Sequence, residues 1–285
     1  METFSANDTA IILATVASYI VFTSWRTHRL RSRTNAQFMN ASRALPATVV
    51  GILLMSEFVG AKSTVGTAQE AFTSGFAASW SVVGASIGFL LFGLVFVRRL
   101  YGSGEYTISA AIAQKYGRST MLTVSLIMIY ALLLVNVGNY ISGAAALATV
   151  MKVSLPQAMF MIAVFSTFYY VFGGLKGVAY VTVLHSGLKL VRVSLILGVA
   201  LYATGGISPM VQALPPQYFT WDGAIGGSTI VAWTVGTIGA IFSTQFIMQA
   251  ISSCTSANEA RRVSLYAAGL CFPLGIALAL IGVAA

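Results

Sequence analysis

The chain has 285 residues, of which 57% are hydrophobic and only 8% charged. A soluble globular domain carries roughly 25% charged residues, so this chain has too little charge to cover a water-facing surface. A soluble enzyme, a disordered chain and a nucleic-acid-binding domain are excluded, and the net charge of +9 needs another explanation.

A spanning helix needs about 20 mostly apolar residues. The sequence predicts eight, at about 8–25, 45–66, 78–97, 121–148, 156–173, 178–203, 227–250 and 263–285. The first is read as a retained helix and not a cleaved signal, because acidic Glu2 and Asp8 precede it and its Arg cluster follows it. The second has a polar middle, Ser56 to Thr67, where Glu57, Lys62, Ser63 and Thr64 sit around Gly60 and Gly66. Irregular backbone at membrane depth is tolerated only inside protein or beside a water-filled cavity, so this span reads as a broken helix at a transporter's binding site. The alternatives are that Gly60 and Ser63 only permit close helix packing, and that Glu57 and Lys62 only neutralise each other.

The segment 101–118 reads as a short amphipathic helix on the membrane surface, and Asn136, Asn139 and Tyr140 of the fourth span as interior-facing. The sixth span carries His185, Lys189 and Arg192 on one helical face. Lys189 lies about 16 Å into that span, near the midplane. Ionisable residues at this depth are costly and are functional candidates. Three basic groups on one face against one acid within a span, Glu57, predict an anionic solute or acids elsewhere; the alternative is a hydrated vestibule. The segment 205–226 holds Pro209, Pro215, Pro216, Tyr218, Phe219 and Trp221, a composition suited to the membrane interface. The seventh span ends in Ser243, Thr244, Gln245, Phe246 and Gln249, which serve either a binding site or interhelical hydrogen bonds. Cys254 and Cys271 read as small buried hydrophobes. The last span is still apolar at Ala285, and the sequence reads as a fragment.

Alternating spans place Arg26, Arg29, Arg31, Arg33, Arg43, Arg98, Arg99, Lys115, Arg118, Lys176, Arg261 and Arg262 on one side and only Lys152 on the other. The positive-inside rule makes the first side cytoplasmic and puts the N-terminus outside. The three remaining cations, Lys62, Lys189 and Arg192, lie inside spans. The basic excess is therefore topological, and nucleic acid is not an expected partner. The expected location is the cell (inner) membrane, with multiple passes. No nucleophile elbow, metal-ligand spacing or phosphate loop is present, so the chain is not read as an enzyme and no organic cofactor is expected.

Four stretches carry a family resemblance: FMNASRAL at 38–45, GAKSTVGTAQEAF at 60–72, GGLKGVAYVTVLH at 173–185 and QFIMQAISSCTSANEARR at 245–262. In this order they resemble the sodium/solute symporter family. The resemblance implies an all-α integral membrane protein with a LeuT-type inverted repeat of two five-helix halves around a midplane site. The helix at 8–25 becomes an extra leading helix, 45–203 the first repeat with its broken first core helix, and 227–285 the first two helices of an incomplete second repeat. It implies carbonyls of Ser56 and Val59 at an ion site with Glu57 nearby, and substrate contacts at Lys62, Ser63, Thr64, Thr244, Gln245 and Phe246, with Phe246 at an aromatic gate. Thr182 and His185 stand where the family has Asp and Gln, and Ala250 where it has Arg. Loss of the Asp weakens sodium's attraction, and a Lys62 ammonium in the unwound segment would replace a sodium ion electrostatically. The coupling ion is thus sodium or a proton, with His185 a titrating candidate. The function implied is ion-coupled symport of a small polar or carboxylate-bearing solute. The alternatives are a solute-sensing membrane module of the same fold and an inactive fragment.

Overall fold

The computed structural model describes residues 6–285, without the side chains of residues 6, 8, 9, 36, 168–170, 172 and 173. Glu2 and the Asp8 side chain, which bear on the first span, lie outside the described residues. Among the described residues the chain is helical and without strands. In chain order the helices are α1 Ala6–Arg29, α2 Asn35–Asn40, α3 Ala47–Phe58, α4 Ala61–Ser74, α5 Trp80–Leu91, α6 Val97–Gly102, α7 Ile108–Tyr116, α8 Arg118–Met151, α9 Leu155–Ala203, α10 Ile207–Ala213, α11 Gly227–Ser243, α12 Gln245–Ser252 and α13 Ala257–Ala284. A one-turn π-helix, Phe92–Phe96, joins α5 to α6, so Phe76–Gly102 is one span of 27 residues.

Five helices are long and apolar enough to cross a membrane, or up to seven when each of two bent pairs is one span, with Leu155–Thr167 a shorter apolar helix. These account for the eight expected segments. The bent pairs are α3 with α4, at 55°, and α11 with α12, at 52°. The expected surface helix forms as α7. The 205–226 segment is more ordered than a loop, holding α10 and a 3-10 turn at Pro216–Phe219.

The chain divides into two compact units, residues 1–42 with 123–181 and residues 43–122 with 182–285. In the first unit, α8 and the N-terminal part of α9 form a hairpin tied by the Tyr140 hydroxyl to the Ser166 hydroxyl at 3.0 Å. Tyr140 thus faces a neighbouring helix, whereas Asn136 and Asn139, also expected to face the interior, are exposed. Gly174 interrupts α9 with a φ of 54°, and a Cβ there would collide with Ser32 and Phe38. Only glycine combines that left-handed backbone with so close an approach. Large apolar residues on α8, such as Leu126 and Tyr130, are exposed, as lipid-facing residues are.

In the second unit α13 is the hub, packing against α3, α4, α5 and α6. Its buried face is made of small residues, among them Ala260, Ser264, Ala267, Gly275, Ala279 and Gly282. Lipid tails are as apolar as leucine, so helices associate in membranes through close backbone contact that small residues permit. Ser86 on α5 donates to the Ala268 carbonyl at 2.7 Å across this seam. Helix α5 also packs on α11, with Gly84 against Thr234. Ala71, Ala78, Met210, Ala279 and Val283 close a small core at one end of the unit.

Candidate functional site

The site begins at the break in the first bent pair. Helix α3 ends at Phe58 and α4 begins at Ala61, leaving Val59 and Gly60 non-helical. Twelve residues precede the break and fourteen follow it, so at 1.5 Å per residue it lies near the middle of the span. The Val59 amide still bonds back to the Met55 carbonyl at 2.9 Å. The Ser63 hydroxyl donates to the Phe58 carbonyl at 2.6 Å. The Thr64 amide and hydroxyl both reach the Gly60 carbonyl at 3.0 Å. Ser63 thereby satisfies a carbonyl that the break orphans, as polar side chains do at helix ends, while the Gly60 carbonyl takes the first amide bond of α4. Val59 is fully buried, and its carbonyl accepts from the Lys189 ammonium of α9.

Gly60 is not a packing glycine: an added Cβ would meet nothing within 4 Å, and the same holds at Gly66. Open space therefore lies beside the break, against the packing-only alternative. Lys62 falls in the first turn of α4, outside the two-residue break, and is exposed. Glu57 is exposed too, and no ion pair joins the two among the described residues. Ser56 is partly buried in the last turn of α3.

The second break lies between Ser243 and Gln245, with Thr244 in extended backbone. The Thr244 amide caps α11 at the Ala240 carbonyl, 2.9 Å away, and the Ser243 hydroxyl bonds the Gly239 carbonyl at 2.8 Å. Gln245 spans outward to the start of α7: its amide nitrogen donates to the Tyr106 carbonyl at 2.8 Å and its oxygen accepts from the Ile108 amide at 3.1 Å. Phe246 is half-buried. Helix α12, which leaves this break, packs on α3, which enters the first one. The two half-helices therefore lie side by side.

Helix α9 supplies the third wall. Ser186, Lys189 and Val193 follow at helical spacing, with Ser186 and Val193 buried and Lys189 half-buried. Thr182, one turn earlier, is half-buried. His185 and Arg192 are exposed on the flank of this face. The structure thus brings Lys189 to the break and leaves Lys62, Glu57, His185 and Arg192 outside it. Sequence reading missed Ser186, whose buried hydroxyl has no partner among the described residues. Its signal was present: it lies one turn from both Thr182 and Lys189. The Tyr106 and Ile108 partners of Gln245 had no sequence signal, because they lie about 140 residues away.

The fourth motif stretch closes α12 and opens α13. Ser256 caps α13 by accepting from the Glu259 amide at 3.2 Å, and the Thr255 hydroxyl bonds the Glu259 carboxylate. The Glu259 carboxylate also accepts from the Thr255 amide at 3.3 Å, so the return bonds of this Ser-x-x-Glu cap go to the residue before Ser256. Cys254, in the connecting turn, is buried; burial, then the nearby Glu259 charge, push its thiol up to about 12. A thiol held protonated in this way is an inert hydrophobe.

The fold defines a multi-pass α-helical membrane protein with two broken spans. The sodium:solute symporter family model matches residues 38–284, and the chain belongs to that family. It is 24% identical over 276 residues to the sodium/glucose cotransporter of Vibrio parahaemolyticus, covering 89% of this chain and 50% of the relative. It is 23% identical over 271 residues to the human high affinity choline transporter 1, covering 92% of this chain and 47% of the relative. The chain thus spans about half the length of the curated relatives it matches. Among solved structures it resembles the substrate-bound outward-open state of a Na+-coupled sialic acid symporter, with a TM-score of 0.83 at 18% identity over 95% of this chain and 60% of the other. At that identity the likeness shows the LeuT-type fold.

Proposed function

We propose that this chain forms part of an ion-coupled secondary active transporter, a symporter, that moves a small polar, carboxylate-bearing solute by alternating access. The observation that carries this reading is the pair of broken spans whose half-helices α3 and α12 pack side by side, with open space beside Gly60. A helix break exposes an N-terminus that attracts anions and a C-terminus whose carbonyls attract cations. The first turns of α4 and α12 both begin at such breaks. Lys62, exposed in the first turn of α4, adds a point charge for a carboxylate, and Ser63, Thr64, Thr244, Gln245 and Phe246, at the two breaks, are the further substrate contacts of this reading. On this reading 45–203 is the first five-helix repeat, and α11 to α13 belong to the second. The coupling ion is sodium or a proton. The chain resides in the cell (inner) membrane with its N-terminus outside.

The test is uptake into proteoliposomes by the full-length protein, under an imposed sodium gradient and then an imposed proton gradient. Radiolabelled organic acids compete with neutral sugars as substrates. Gradient-driven uptake of an acid is expected. A preference for neutral sugars removes the carboxylate, and binding without uptake under either gradient replaces transport by solute sensing.

A further inference from the structure

We infer that the Lys189 ammonium is a built-in cation filling the carbonyl opening at the α3–α4 break, so that this opening does not take up a free sodium ion. The inference takes the identity of the site from the transporter reading, and concerns only what the break holds.

A broken helix leaves the carbonyls of its last turn without amide partners, at the negative end of the helix dipole. In a bilayer such groups need a donor or a cation. At this break the Phe58 carbonyl is met by the Ser63 hydroxyl, and the Gly60 carbonyl by the amide and hydroxyl of Thr64. These donors are neutral and come from α4 itself. The Val59 carbonyl is met by a charged donor from a different helix, Lys189 of α9. Val59 is fully buried and Lys189 half-buried.

Lys189 lies near the middle of the apolar stretch Gly174–Ala203. A long basic side chain near a span's end reaches the interface; from mid-span it must find acceptors within the protein. An ammonium has three N–H donors, and Val59 takes one. Ser186, one turn earlier on the same face, carries a buried hydroxyl with no hydrogen-bond partner among the described residues, Lys189 included. Glu57 and Lys62 are both exposed, so neither supplies the charge at the break. A sodium ion and an ammonium carry the same unit charge and seek the same oxygens. Two such charges within a few ångströms in a low-dielectric span exclude one another.

The experiment is thermal unfolding of the purified full-length protein in sodium chloride, against equimolar potassium chloride and N-methylglucamine chloride. Wild type is expected to melt at one temperature in all three salts. Lys189→Ala removes the tethered charge, and a sodium-specific rise in Tm of roughly 2–4 °C is expected at saturating salt. Lys189→Arg keeps the charge and is expected to show no such rise. A sodium-specific rise in wild type overturns the inference, and that arm needs no variant to fold. A folded Lys189→Ala protein indifferent to sodium also overturns it, leaving Lys189 as a tie between helices. Uptake is scored separately: if no gradient drives uptake, the transporter reading falls, while a sodium-indifferent wild type and a sodium-responsive Lys189→Ala still uphold the tethered cation.

Discussion

At Gly60 an added methyl group meets nothing within 4 Å, whereas at Gly282 it runs into the Ala68 carbonyl of α4. Gly60 also has ordinary backbone, with a φ of −90°. Gly60→Ala is therefore expected to leave Tm within about 2 °C, since alanine adds no strain and reduces the freedom of the unfolded chain. Gly282→Ala is expected to cost about 1–3 kcal/mol, because backbone on a neighbouring helix must move. Melting curves in detergent compare the two, and equal losses at both positions would remove the space beside the break. In the sequence these glycines look alike, each among small residues in an apolar segment. The same limit applies to the lysines. Lys62 lies next to the glycine that marks the break, and proximity along the chain pointed to it. The ammonium that reaches the break comes from Lys189, 130 residues from Val59.

Both broken spans are held by local chemistry at one end and by distant chemistry at the other. The polar run after Phe58 was legible because a lipid-facing helix cannot carry it, and one hydroxyl of that run, Ser63, does bond the orphaned Phe58 carbonyl. At the second break, Gln245 clamps both the Tyr106 carbonyl and the Ile108 amide, tying the start of α12 to the start of α7. Gln245→Ala is expected to speed hydrogen exchange of the Ile108 amide by roughly tenfold, the equivalent of one net hydrogen bond. Exchange mass spectrometry over residues 104–116 reads this directly. Unchanged exchange there, with α12 intact, would mean that the clamp is not made. A glutamine on a polar helix face reads from sequence as a substrate contact or an interhelical bond. Which it is depends on where α7 lies, and α7 is placed by packing of the whole unit.

For the whole molecule, alternation of the expected spans would put twelve of the sixteen basic residues on one side. The positive-inside rule then makes a topological prediction. A single cysteine at Lys152, in a cysteine-free background, is expected to react with a membrane-impermeant maleimide in intact cells, and one at Arg33 only after permeabilisation. The opposite pattern would invert the orientation. The sequence by itself determined the membrane class, the spans, the broken second span and the family, because each is written in composition, in local polarity or in short motifs. It assigned the site its helices, but not its contacts. Tertiary structure alone decided that Lys189 and not Lys62 enters the break, that Gln245 is spent on α7, and that Gly60 borders open space while Gly282 does not. The physical reason is that burial and hydrogen bonding at a helix break are settled by side chains arriving from other helices.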